Sequence, residues 1–362
     1  MRAESALAHD PVKLWRPKRV LITPAARELE HGRGIAERAA SLGAEIVELS
    51  SNRLTGLVSG DSRRAYSDAK STLAVVIAPP SKRKLQPIPP SADWRFDLAE
   101  GCPAHCQYCY LAGSLSGPPI TRVYANLEEI LDGLSDYAGR GRVTSASRAR
   151  ADEGTTYEAS CYTDPMALEH LTGSLAKAIS YFGAWEAPVQ LRFTTKYDNV
   201  DPLVTLRHNR RTRIRFSVNV ASVARFEGGT PGVAARLSAM RRVAVAGYPI
   251  GLTIAPIMPE GDWREAYTAL LRQVASTLAG LQKIYLTAEL ITHRFTPKSK
   301  AVLNEWYHAS SLDMNEHGRV EKRTKFGAVK YVYPKELMKQ MREFFESAIA
   351  QYLPGARVLY WT

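Results

Sequence analysis

Apolar positions along the chain fall into short runs separated by longer amphipathic stretches. Residues 18–23 (KRVLIT), 44–49 (AEIVEL) and 72–78 (TLAVVIA) read as strands, and 34–42 as a helix that Gly43 ends. A basic, proline-rich stretch, 79–90, reads as a linker. Beyond it, strand patterns at 94–98, 156–160, 189–194, 213–219, 250–256 and 283–289 alternate with helical patterns, of which 166–182, 233–246 and 263–278 are the clearest. Such alternation predicts a parallel sheet wrapped by helices, here a partial (β/α)6 barrel of the TIM type. Chemistry in such a barrel sits at the C-terminal ends of the strands. Residues 144–154 read as an exposed loop, and 294–329 as a polar, basic segment. A strand at 330–333, a helix at 334–350 and a last strand at 357–361 follow. The expected division is a small α/β unit with its linker at 1–90, the barrel at 91–290 and an α+β extension at 291–362. No internal repeat interrupts this order.

Composition narrows the class only a little. Hydrophobic residues make up 45% and charged residues 23%, as in water-soluble globular chains. No apolar run is long enough to cross a bilayer, so no membrane partner is expected. The first 21 residues are polar and broken by Pro11 and Pro17, unlike a secretory leader, so the expected location is cytoplasmic. The net charge of +12 favours polyanions, because each neutralised phosphate releases counterions. That charge gains meaning only beside a catalytic motif.

The motif lies just after the first barrel strand. Three of the four cysteines form C-x3-C-x2-C, Cys102-Pro-Ala-His-Cys106-Gln-Tyr-Cys109. Spread pairs in a small secreted chain would suggest disulfides, but a tight cluster suggests metal or redox chemistry. Three thiolates on a short loop suit three irons of a cubane and leave the fourth iron open. Zinc with His105 as fourth ligand is the competing reading, although structural zinc sites show four well-spaced ligands.

This spacing at the end of the first strand resembles the radical S-adenosylmethionine (SAM) superfamily. That implies a [4Fe–4S] cluster held by Cys102, Cys106 and Cys109, with SAM as cosubstrate and source of a 5′-deoxyadenosyl radical. The resemblance narrows to the spore photoproduct lyase family, through blocks covering residue 94 to the C-terminus. They include GCPAHCQYCYL at 101–111, YANL at 124–127, YEASCYTDPMALEHL at 157–171, LRFTTKYDNVD at 191–201 and RIRFSVN at 213–219. AGYPIGLTIAPI at 246–257, ELITHRFT at 289–296 and KYVYPKE at 330–336 complete the set. The family is a DNA-repair lyase that reverses 5-thyminyl-5,6-dihydrothymine to two thymines.

By that resemblance Cys161 is the hydrogen donor to the product radical, and Tyr108 and Tyr110 relay the hydrogen. The competing readings are a buried structural thiol and two rings packed round the cluster. Lys196, Ser217, the backbone of Ala255, Thr163 and Asp164 match positions that contact SAM; Thr163 stands where the family more often has serine. The lesion must be flipped out of the duplex. Lys322, Arg323, Lys325 and Lys330, with Tyr331 and Tyr333 beside them, are the candidate DNA contacts, and the run 207–213 is a second basic patch. Solvated surface is the competing reading for both runs. UV-damaged DNA, an electron donor such as flavodoxin or ferredoxin, and a monomeric state complete the expectations. The segment 326–329 (FGAV) departs from the family's Gly- and Tyr-rich pattern, which leaves a different nucleic-acid lesion as the alternative substrate.

Overall fold

A computed structural model describes residues 14–55, 61–114, 119–323 and 327–362. Six parallel strands lie side by side in chain order: β1 (Ala92–Phe96), β2 (Thr155–Ala159), β3 (Val189–Thr195), β4 (Thr212–Val218), β5 (Ile250–Ile257) and β6 (Leu286–Thr292). Their order equals their sequence order, as repeated right-handed β/α crossovers require. The sheet stays open. Gln86–Ile88 pairs antiparallel with β1 at one edge, and Arg357–Trp361 pairs parallel with β6 at the other. The α/β class and the partial barrel follow the reading from sequence.

Period-two alternation sorts each strand's side chains. On β1, Trp94 and Phe96 face the outer layer. The Trp94 ring meets Tyr137 at 4.9 Å, and Phe96 stacks on Phe182 at 6.3 Å. Asp93 and Arg95 take the opposite face. On β4, Arg213, Arg215 and Ser217 point inward, while Ile214 and Phe216 pack in the core. The barrel interior is therefore ionic. Glu289 binds Arg192 and Arg215, the latter at 2.7 Å, and also accepts from the Tyr360 hydroxyl at 3.0 Å. Arg215 reaches on to Glu158, and Ser91 Oγ donates to the same carboxylate at 3.0 Å. Arg192 and Arg215 are all but inaccessible to water. Charges so buried persist only when each has partners.

Several boundaries differ from the sequence reading, each for a contact the pattern does not reveal. The stretch 79–90 is no linker, since it forms the helix Pro80–Arg83 and the edge strand Gln86–Ile88. The first unit does not end there either. Its sheet runs Glu45–Glu48, Arg19–Ile22, Thr72–Val76, Thr121–Tyr124, Ala99–Glu100, so two strands come from beyond residue 90. Residues 144–154 are an exposed loop only in part. The Asp93 carboxylate accepts from the Val143 and Thr144 amides at 2.7 and 2.9 Å, and Arg150 and Glu153 are buried as an ion pair at 2.8 Å. The helix pattern at 166–182 breaks at Gly173, whose left-handed φ of 63° separates Glu169–Thr172 from Ser174–Ala184. The polar stretch 294–329 holds the helix Pro297–Trp306, started by a Thr296–Ser299 capping box, and the strand Val320–Arg323. The sixth strand sits three residues later than its pattern, at Leu286–Thr292.

Removing Glu289 would leave two buried guanidinium groups short of a partner. Glu289→Ala is expected to cost about 3–5 kcal/mol in urea unfolding. The two arginines hold the Glu289 carboxyl down at about 2. Its contribution is thus present above the unfolded carboxylate value of ~4.3 and is lost as pH falls towards 2. Glu289→Ala should flatten the stability profile across that window.

Candidate active site

The thiol loop hangs between two strands of the first sheet. Ala99–Glu100 pairs antiparallel with Thr121–Tyr124, and the chain between them carries all three motif cysteines. Gly101 opens the loop with φ of 76°, where a Cβ would lie 2.3 Å from the Ile120 carbonyl oxygen. Three other parts of the chain hold the loop in place. The Lys70 ammonium donates to the carbonyls of Cys102 and Ala104 at 2.6 and 2.5 Å. His105–Cys106 pairs with Glu227–Gly228, and the Gln107 amide donates to the Phe226 carbonyl at 2.9 Å. The His105 Nδ1 meets the Tyr66 hydroxyl at 3.0 Å, and that hydroxyl also meets Tyr307.

All four cysteines are free. Cys102, Cys106 and Cys109 share the wall of a cavity of about 820 Å³, beneath the C-terminal ends of the strands. Burial pushes the Cys102 and Cys106 thiols up. The Lys70 ammonium opposes the shift at Cys102 and the Lys196 ammonium opposes it at Cys106. Among the described residues, no three His, Cys, Asp or Glu side chains are arranged round one ion. The His105 Nδ1 is engaged by Tyr66, which leaves Nε2 as the ring's other nitrogen. Three thiols facing one cavity are a donor set that fits a cubane with one open iron.

Ionic groups gather beside Cys106. Lys196, just after β3, donates to Ser217 Oγ at 2.5 Å and lies 3.3 Å from Glu227. Glu227 also pairs with Arg236 at 2.5 Å and accepts from the Tyr108 hydroxyl. Lys196 sits 5.8 Å from the Tyr108 ring centre. Lys196, Ser217 and Tyr108 are thus one assembly. Ala255 lies near the C-terminal end of β5, half-buried. Asp164 is committed elsewhere. Its carboxylate caps Met166 at 3.1 Å and accepts the Lys196 amide at 2.7 Å. The Thr163 hydroxyl is buried with no hydrogen-bond partner.

Cys161 follows β2 through Ser160, whose φ is 55°. Its sulfur lies 3.6 Å from Arg95 Nη1. Burial, then the nearby Asp97, push this thiol up to about 12, so it keeps its proton at neutral pH. Arg95 and Tyr162 line the same cavity as the three motif thiols. The two tyrosines part company. Tyr108 is half-buried and anchored on Glu227, whereas Tyr110 is 46% exposed, with the Arg294 guanidinium 5.7 Å from its ring.

The basic runs also separate. Residues 207–211 precede β4, at the end of the barrel away from the thiols. Arg211 donates to the Ala187 and Glu186 carbonyls, and Arg213 is buried with Nη1 3.0 Å from the Ile250 carbonyl. This run holds loops together. The second run forms a hairpin, Val320–Arg323 against Val329–Val332, with Lys322 directly opposite Lys330. Lys322 and Arg323 are exposed and Lys330 half-buried. Lys325 and Phe326 lie outside the described residues. Tyr331 packs on Phe295 at 5.4 Å. Tyr333, expected among the DNA contacts, is instead buried under Arg319, whose guanidinium lies 3.6 Å from the ring.

Sequence reasoning missed Tyr66, Lys70, Arg95, Asp97 and Glu227. The alternation Asp93-Trp-Arg95-Phe-Asp97 carried a signal for two of them, a charged face on a barrel strand. The others sit in segments with no motif.

Comparison with known proteins follows this geometry. A family model described as spore photoproduct lyase matches residues 15–362. The chain is 39% identical to the spore photoproduct lyase of Geobacillus sp. (strain Y412MC61), covering 97% of this chain and 100% of that one. It is 37% identical to that of Bacillus subtilis (strain 168), covering 96% and 98%. Among solved structures, it resembles a spore photoproduct lyase complexed with dinucleoside spore photoproduct, with TM-score 0.89 and 39% identity over 97% of this chain and 100% of that one. A double mutant of such a lyase with bound AdoMet and dinucleoside spore photoproduct matches with TM-score 0.88 and 38% identity, over 96% and 99%.

Lys70 makes two charge-assisted bonds to the thiol loop, each worth about 1.5–3 kcal/mol. Lys70→Met should speed hydrogen exchange of the loop amides at least about tenfold, since ~1.4 kcal/mol is a tenfold change. Lys70→Arg should fall between.

Proposed function

The chain belongs to the spore photoproduct lyase family, and from that premise we propose that it reverses the spore photoproduct in UV-damaged DNA to two thymines. The observation that carries this reading is the pairing of two thiol sets at one barrel mouth. Three thiols share a cavity wall, and a fourth, protonated thiol is bonded to Arg95 on the same wall.

Cys102, Cys106 and Cys109 would hold a [4Fe–4S] cluster, which with SAM supplies the 5′-deoxyadenosyl radical when fed by a one-electron donor such as flavodoxin or ferredoxin. Lys196 and Ser217 offer an ammonium and a hydroxyl to the SAM carboxylate, and the unpartnered Thr163 hydroxyl and the Ala255 backbone complete its surroundings. Asp164 acts by fixing Lys196 rather than by facing the ligand. After the methylene bridge breaks, Cys161 gives its hydrogen atom to the thymine radical: the S–H bond breaks, a C–H bond forms and a thiyl remains. A thiolate has no hydrogen to give, so the burial that keeps Cys161 protonated serves the reaction directly.

Tyr108 and Tyr110 have different roles in this reading. The Tyr108 hydroxyl points its proton at Glu227, which makes it a positioning group beside Lys196. The Tyr110 hydroxyl makes no hydrogen bond among the described residues and is free to return a hydrogen to the thiyl: the O–H bond breaks, the S–H bond re-forms, and the phenoxyl radical left behind would take back the hydrogen carried by 5′-deoxyadenosine. DNA lies over the hairpin, with Lys322, Arg323 and Lys330 on phosphates and the Tyr331 face beside them. Tyr333 supports the hairpin from beneath. Four free thiols suit a reducing cytoplasm.

Reconstituted protein, SAM and dithionite should convert a dinucleoside spore photoproduct to thymidine under anaerobic conditions, with SAM largely unconsumed. SAM cleavage without repair would point to another lesion. Cys161→Ala should still break the lesion but yield by-products of an unquenched radical; clean thymidine from that variant would remove Cys161 from the donor role.

A further inference from the structure

One acid in the cavity has no partner. Asp97 follows β1 on the face that carries Asp93 and Arg95, and its side chain lines the cavity shared by the three thiols. It is 9% exposed, and its Oδ1 is buried without any hydrogen bond. Its charged neighbours are otherwise engaged. Glu100 pairs with Lys82 at 2.5 Å, and Arg95 rests on the Tyr162 ring at 4.5 Å with Nη1 on Cys161. Among the described residues, no cation stands within ion-pair distance of Asp97. Burial and the neighbouring Glu100 raise its carboxyl to about 6, as expected of a group still waiting for a donor. Asp93, two strand pairs lower on the same face, shows the contrast. Its carboxylate takes bonds from Val143, Thr144, Ser145 and Thr156.

An orphaned buried carboxyl is costly and is usually answered by an ion, a water or a ligand. The ligand here must bring an N–H donor to Asp97 and an acceptor to Arg95, within reach of the Cys161 sulfur. The imide edge of thymine has that pattern, an N3–H flanked by two carbonyl oxygens. We propose that Asp97 and Arg95 read the imide edge of the flipped pyrimidine that receives the Cys161 hydrogen. The pair holds that ring by its Watson–Crick edge, as flipped bases are held elsewhere. It also sets specificity. A cytosine ring presents an acceptor at N3 in place of the donor, and would face the Asp97 carboxylate with like polarity. The site therefore takes thymine-derived lesions and rejects cytosine-derived ones.

This inference rests on the lesion reading above, and the test separates the two. Dissociation constants would be measured without reductant for the dinucleoside spore photoproduct and for derivatives methylated at N3 of either ring. Wild type, Asp97→Ala and Asp97→Asn would be compared, each loaded with iron and SAM, with iron content confirming the fold. Methylation of one ring should weaken wild-type binding by about tenfold or more, since it removes the donor to a buried acceptor. Asp97→Ala should bind the unmodified lesion that much more weakly and respond to the same methylation by less than about twofold. Asp97→Asn, which keeps an acceptor but no charge, should lie between. Equal methylation penalties in wild type and Asp97→Ala would overturn the inference and leave the lesion reading standing. So would an Asp97→Ala that binds the lesion normally but SAM weakly. A wild type that neither binds nor repairs the unmodified lesion would remove both.

Discussion

Everything above the barrel floor depends on one carboxylate shared by two arginines. Glu289 on β6 reaches Arg192 on β3 and Arg215 on β4, and Arg215 reaches on to Glu158 on β2. A closed barrel fills its interior with branched apolar side chains. This one is open at the side, with edge strands at Gln86–Ile88 and Arg357–Trp361, and its interior is spanned by directed charged contacts. Such contacts specify distance and orientation as apolar packing does not. They fix the relative heights of the strand ends, and those ends carry Cys161, Lys196, Ser217 and Ala255.

The first unit is more than a brace. Its sheet is completed by the two strands that bracket the thiol loop, and its helix Ser62–Lys70 supplies Tyr66 and Lys70 to that loop. The cavity wall runs from Asn52 and Val76 in this unit to Arg95 and Tyr162 in the barrel. The site is thus built between two sheets, one presenting the thiols and the other the charged groups that face them.

Much of this was legible in the sequence. The six strands, the thiol triad, Cys161 and the Lys196–Ser217 pair follow from periodicity and from ordered family blocks, because strand burial and close ligand spacing are local properties. What stayed hidden was non-local. Nothing near residue 70 says that its ammonium will meet the Cys102 carbonyl, and nothing near 227 says that one carboxylate will serve Tyr108, Lys196 and Arg236. The supposed linker and the buried part of the loop were misread because their partners are distant in sequence, Glu129 for Arg83 and Asp93 for Thr144 and Ser145. Tyr333 was placed at the surface because a tyrosine beside lysines suits DNA, whereas Arg319 covers it. The charged inner face of β1 was visible as an alternation, but only the cavity gives it meaning.

The way the thiol loop is tied down bears on when its three cysteines take up their spacing. A zinc finger is folded by its metal, but here the loop's anchors come from residues 66 and 70 before it and from 226–228 and 307 far after it. The last of these leaves the ribosome some two hundred residues after Cys109 does. Until then one of the loop's anchors is missing. The fully anchored loop therefore exists only once residue 307 is in place, so the spacing of its three thiols is a property of the folded chain rather than of the loop's own residues.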